Sequence, residues 1–208
     1  MPIRHNNLKS VLFITALLIC SINTTVSAGE HILIPKIGII DWNDNSNHKV
    51  DNSTFDFDDK EVVSPGLSYL YKFNNGYSVG GEIYSYEKDI ITTTNNSGNS
   101  NITQAYGIAE KFFNNDGAIK PFIGVGLGFA SIKFDANING EIADDYDDYA
   151  TYLSYEFFAG VEFQFNERIG LMLEYKYFDL DIDDNISRKN INVKSNGDAF
   201  FVGVSIHL

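Results

Sequence analysis

Residues 118–134 read AIKPFIGVGLGFASIKF. Within them Ile119, Pro121, Ile123, Val125, Leu127 and Phe129 alternate with Lys120, Phe122, Gly124, Gly126, Gly128 and Ala130. A period of two puts successive side chains on opposite faces of an extended strand. One face is continuously apolar, and the other is half glycine. A soluble sandwich or lipocalin-like barrel turns its polar face to water. Glycine serves a crowded interior better than a solvated exterior, so the apolar face is read as the outer one.

The same period recurs along the chain. Leu153, Tyr155, Phe157, Ala159, Val161, Phe163 and Phe165 alternate with Tyr152, Ser154, Glu156, Phe158, Gly160, Glu162 and Gln164. Leu171, Leu173, Tyr175 and Tyr177 alternate with Met172, Glu174, Lys176 and Phe178. Phe200, Val202, Val204, Ile206 and Leu208 alternate with Phe201, Gly203, Ser205 and His207. Gly66 and Gly80 join the less apolar face. Eight strands are expected: 32–42, 62–73, 77–92, 102–113, 118–134, 150–165, 169–182 and 198–208. The fourth alternates least cleanly, and its faces stay unassigned.

The connections alternate between short and long. Asn74-Asn75-Gly76, Asn114-Asn115-Asp116-Gly117 and Asn166-Glu167-Arg168 are tight, and Asn and Gly supply the backbone geometry that hairpins need. The other connections, 43–61, 93–101, 135–149 and 183–197, are long and polar. Tight turns on the periplasmic side and longer loops outside characterise outer-membrane barrels. Phe73, Tyr77, Phe112, Phe113, Phe163 and Phe165 flank the short turns, while Trp42, Tyr84, Tyr86, Tyr152, Tyr155, Tyr175 and Tyr177 lie toward the long ones. Two aromatic girdles are expected from that placement. The fold expected is all-β, an eight-stranded antiparallel up-and-down transmembrane β-barrel.

The N-terminus reads differently. Arg4 and Lys9 precede the apolar run Val11–Ile19, and Val26-Ser27-Ala28 fits a signal-peptidase site. Residues 1–28 are therefore expected to be a cleaved Sec-type signal peptide and residues 29–208 the barrel domain. The alternative, a retained anchor helix, meets a run about half the ~20 residues that spanning requires. Cys20 follows Ile19 rather than a small residue, so it reads as part of the discarded peptide and not as a lipidation site. The mature chain then holds no cysteine, disulfide or thiolate metal site. Loss of Arg4 and Lys9 takes the net charge from −13 to −15. Such a balance argues against nucleic acid as a partner.

Lys120-Pro121-Phe122-Ile123-Gly124-Val125-Gly126-Leu127-Gly128, Gly160-Val161-Glu162-Phe163 and Leu173-Glu174-Tyr175-Lys176-Tyr177 carry a resemblance. Over residues 29–208 the chain resembles the small outer-membrane β-barrel superfamily that includes OmpA-like, OmpX-like and OmpW-like proteins. The start Ala28-Gly29 and the run Asp179–Asp183 look like the OmpW-like members. These motifs specify architecture. One departure is Leu208, where the family usually ends in an aromatic residue. The resemblance implies a bacterial outer-membrane location reached through the periplasm.

Glu82, Glu156, Glu162, Glu174 and Lys176 fall on the inward face and are expected to form a lumen charge network, with Lys36, Lys72 and Lys120 as further partners. On the lipid face each would cost roughly 2–4 kcal/mol near the midplane. Inside, they either line an ion path or form a hydrogen-bonded plug, and eight strands leave just enough room for side chains to fill. The plug is the favoured reading. Asp135-x-Asn137-x-Asn139-Gly140 matches the first half of a calcium loop, with Asp145 or Asp147 as a substitute for the missing final Glu. The rival account is a solvated acidic loop, and no cofactor is expected. Ser205 and His207 share a face, and a lipid enzyme would need such a hydroxyl and base. The sequence as a whole favours a non-enzymatic barrel, monomeric, of structural or surface-interaction type. Its expected partners are outer-membrane lipid and lipopolysaccharide, with loops 43–61 and 135–149 available to host or cell surfaces. A narrow channel for small or apolar solutes is the alternative, and a lipid-modifying enzyme is the third.

Overall fold

The computed structural model describes residues 29–42, 48–50, 53–57, 61–92, 97–114, 117–138, 141–142, 150–186 and 189–208. They form eleven strands: β1 (Glu30–Trp42), β2 (His48–Val50), β3 (Ser53–Phe57), β4 (Val62–Lys72), β5 (Tyr77–Thr92), β6 (Ser97–Phe112), β7 (Ile119–Ile138), β8 (Glu141–Ile142), β9 (Ala150–Gln164), β10 (Ile169–Ile186) and β11 (Lys189–His207). Eight of them, β1, β4, β5, β6, β7, β9, β10 and β11, close a ring. Each pairs antiparallel with its neighbours, and β11 returns to β1 from Ile32↔His207 to Trp42↔Gly197. The chain is a closed eight-stranded antiparallel barrel, as its periodicity predicts.

The faces follow the alternation. Ile123, Val125, Leu127, Leu153 and Phe157 point outward, each about half exposed. Phe122, Ala130, Phe158, Met172 and Phe201 point inward and are buried. The glycine-rich inner face of β7 has a packing reason. A Cβ on Gly124 would lie 2.2 Å from the Phe158 ring, and one on Gly126 would lie 2.6 Å from Glu156. Small residues on β7 thus give floor space to large side chains projecting from β9. The unassigned strand resolves here as well. Ile102, Gln104, Tyr106, Ile108, Glu110 and Phe112 of β6 are buried in the lumen, and Ala105, Gly107 and Ala109 face out.

The turns at 74–76 and 166–168 hold as expected, and Asn115 and Asp116 of the third lie outside the described residues. Gly76 has φ 81° and its N–H donates to the Phe73 carbonyl at 2.9 Å. Asn166 Oδ1 accepts from the N–H groups of Arg168 and Ile169 at 2.8 and 3.0 Å.

Three expectations need correction. The stretch 43–61 is not loop throughout, because it contains β2 and β3. That hairpin pairs with β11 on one side and β5 on the other, above the level where β1 and β4 end. The long connections 93–101, 135–149 and 183–197 are likewise shortened by strand extension. The β10–β11 ladder runs to Ile186↔Lys189, and β6 begins at Ser97. Polar composition marked these segments as loop, and a strand whose sequence carries no apolar period is not revealed by periodicity. Finally, Trp42, Tyr84, Tyr86, Tyr152 and Phe112 do not belong to lipid-facing girdles. All five are buried in the lumen. Their height along the barrel was legible, but their strand parity turns them inward. Tyr155, Tyr175 and Tyr177 do face out, as do Tyr77, Phe113 and Phe165 at the turn end.

Candidate functional site

The sequence places charge inside the barrel, and packing decides how it is arranged. Lys36 comes from β1, Glu82 from β5, Glu156 from β9, and Glu174 and Lys176 from β10. All five are buried. Lys176 Nζ lies 2.7 Å from Glu82, 3.1 Å from Glu156 and 3.4 Å from Glu174. Lys36 Nζ lies 2.9 Å from Glu174 and also bonds Glu82. Ser68 Oγ donates to Glu82 at 2.8 Å. Aromatic rings wall in the cations: Lys176 Nζ is 4.2 Å from the Phe158 ring centre and Lys36 Nζ is 4.9 Å from that of Phe201. Buried charges persist only when paired and hydrogen-bonded, and here each lysine touches more than one carboxylate.

Two further layers stack on this one. Toward the long-loop end, Tyr106 Oη bonds Gln104 at 2.9 Å and Ser154 at 2.7 Å, and Gln104 Nε2 donates to Tyr86 at 3.1 Å. Trp42 closes that end, edge-on to Phe178 at 5.2 Å and tilted against Tyr86 at 5.9 Å. Toward the turns, Ser205 and His207 of β11 both bond Glu162 of β9, at 2.5 and 2.6 Å, and His207 also meets Glu30 of β1 at 2.7 Å.

The five predicted network residues therefore divide. Glu82, Glu156, Glu174 and Lys176 form one cluster with Lys36. Glu162 belongs to the separate turn-end layer. Glu110 escaped the sequence reading because the faces of its strand were unassigned. It is buried and accepts from Ser78 Oγ at 3.1 Å. Its two-residue spacing from Gln104, through Ile108 and Tyr106, was the available signal. Ser205 and His207 each turn to Glu162 rather than pairing as a nucleophile and its base. They share the acceptor Glu162 Oε1. Among the calcium candidates, Asp135 and Asn137 lie on extended β7, and Asn137 pairs with Ile142 of β8. Asn139 and Asp145 lie outside the described residues, as does the expected signal peptide 1–28.

A family profile described as outer membrane protein beta-barrel domain matches residues 14–205. The chain belongs to this family. Solved outer-membrane barrels agree in fold. OprG from Pseudomonas aeruginosa superposes with a TM-score of 0.64 at 14% identity, covering 87% of this chain and 96% of that one. Neisserial surface protein A gives 0.56 at 15% identity, covering 85% and 96%. Outer Membrane Protein W of E. coli gives 0.54 at 12% identity, covering 87% and 98%. No curated protein sequence matches significantly.

Proposed function

We propose that this outer-membrane barrel is closed along its lumen and works through its outside end, in contacts with lipopolysaccharide or with the surface of another cell. The observation that carries this reading is the Lys176–Glu82 contact of 2.7 Å between opposite walls, embedded in a cluster with Lys36, Glu156 and Glu174. A solute would have to break several buried ion pairs at once to pass. The interior then acts as a structural core, and no catalytic step is assigned to it.

Strand length supports the choice of the outside end. Crossing a bilayer takes about 9–11 tilted residues. β7 has 20 residues, β10 has 18 and β11 has 19. At about 3.3 Å per residue, β10 is roughly 60 Å long. The surplus stands beyond the membrane as paired β-structure, acidic in sequence, beside a lipid surface whose phosphates are bridged by divalent cations. Delivery by a signal peptide at 1–28 and a monomeric state belong to the same reading.

A narrow channel is the second reading. It draws on the polar side chains that recur along the lumen from Glu162 to Tyr86. Single-channel recording on the protein purified from outer membranes separates the two. A folded, silent barrel is the outcome expected. Discrete, reproducible steps whose ion selectivity responds to Glu174→Gln would overturn the plug.

A further inference from the structure

His207 stands where the ring closes. The β1–β11 ladder ends at Ile32↔His207, and a further backbone bond follows from the Leu208 N–H to the His31 carbonyl at 2.9 Å. Beyond that point side chains hold the seam. His207 Nδ1 is 2.7 Å from Glu30 Oε1 on β1, and Nε2 is 2.6 Å from Glu162 Oε1 on β9. One ring thus joins three strands.

The donor count decides what this geometry requires. An ionised carboxylate only accepts, and a neutral imidazole has one N–H and one bare lone pair. Two such ring-to-carboxylate contacts cannot both be hydrogen bonds without one additional proton. Glu162 Oε1 is already an acceptor for Ser205 Oγ at 2.5 Å. We propose that His207, Glu30 and Glu162 share one proton more than a neutral imidazole and two carboxylates would carry, and that this proton locks the β1–β11 seam at the turn end.

The surrounding charges are consistent with that assignment. Lys72 on β4 lies 3.9 Å from Glu30 Oε2, and Lys120 on β7 sits opposite Glu162 in the ladder. Both ammonium groups favour ionised carboxylates, which leaves the imidazole as the carrier. On the side of β10, the Arg168 carbonyl accepts from the His207 N–H at 2.9 Å, which brings a charged residue beside the seam, while Gly170 opposite Ser205 adds no titratable group. Ser205, next in the same face, contributes a neutral hydroxyl.

The consequence is a seam that tightens in acid and loosens in base. An imidazole that gains acceptors on folding contributes fully below its ordinary pKa, about 6.5, and its contribution is lost as pH rises past the folded value. Once the proton leaves, a lone pair faces a carboxylate oxygen across less than 3 Å.

The test uses full-length chain matured in the outer membrane and extracted in detergent, with folded barrel read from its heat-modifiable gel migration. The temperature of half-unfolding should fall by about 5 °C between pH 5.5 and pH 9. Glu30→Gln should flatten that slope, because the amide can donate to the bare Nδ1 and the extra proton is no longer required. His207→Gln should flatten it too. If His207→Gln does not fold, Glu30→Gln still decides. A flat parent profile, or parent and Glu30→Gln falling alike, overturns the proposal. So does a nitrogen NMR signature of a neutral His207 ring in the folded barrel at pH 5.5.

Discussion

Lys176 and Glu82 meet at 2.7 Å from opposite sides of the ring, one on β10 and the other on β5, with three strands between them in either direction. The contact is a strut across the diameter of the barrel. It ties together walls that share no ladder hydrogen bond.

Removing one end of the strut should therefore be costly. Lys176→Met strands Glu82 and Glu156 without their common cation, and such a loss costs about 3–5 kcal/mol. The urea midpoint of the barrel in lipid vesicles measures it. Adding Glu156→Gln to Lys176→Met should recover part of the loss, since Glu156 loses its lysine while Glu82 keeps Lys36. A double variant less stable than Lys176→Met alone would contradict this account.

Gly124 provides a test of the interior packing. Its Cβ position is 2.2 Å from the Phe158 ring, so Gly124→Ala should destabilise by about 1–3 kcal/mol. Phe158→Leu in the same chain should relieve the overlap. A cost for Gly124→Ala that is unchanged by Phe158→Leu would place the strain elsewhere.

Trp42 gives a spectroscopic check on which aromatics are inside. It is the sole tryptophan in the chain and is buried against Phe178 and Tyr86. Its fluorescence should resist quenching by lipids brominated along their acyl chains. Phe157→Trp, combined with Trp42→Phe, should be quenched strongly, because Phe157 faces out. Equal quenching at both positions would argue against the inward parity of Trp42.

Orientation can be read with single cysteines, since Cys20 is the only native one and lies in the segment expected to be removed. Asn190→Cys, at the far end of β11, should react on intact cells with a membrane-impermeant maleimide. Asn74→Cys, in a tight turn, should react only after the outer membrane is opened. The reverse result would invert the barrel.

Much of this was legible because membrane strands obey a period of two. The inward set Met172, Glu174, Lys176 and Phe178 could be read from β10 alone, and so could the outward Leu153, Tyr155 and Phe157 of β9. The network members were legible for the same reason, although their grouping was not. Alternation states which face a carboxylate occupies and is silent on which lysine it meets across the lumen. Trp42, Tyr84 and Tyr86 show the other limit. Aromatic rings fit a lipid interface and a barrel core equally well, and for these three the parity carried the answer that height obscured. In β6 the usual contrast is reversed, with Ala105, Gly107 and Ala109 outside and larger side chains within, so a rule that seeks the bulkier face points the wrong way. The strands β2 and β3 left no trace, since at three and five residues they are too short for a period to show.

The hairpin of β2 and β3 gives the barrel two storeys of different parentage. In the lower one β1 and β4 lie between β11 and β5, and in the upper one the hairpin takes their place. Residues added to or lost from the hairpin can reshape the upper storey while the register of the lower one stays intact. Substitution within the hairpin is therefore expected to leave the pairing of β1 with β4 and β11 in place.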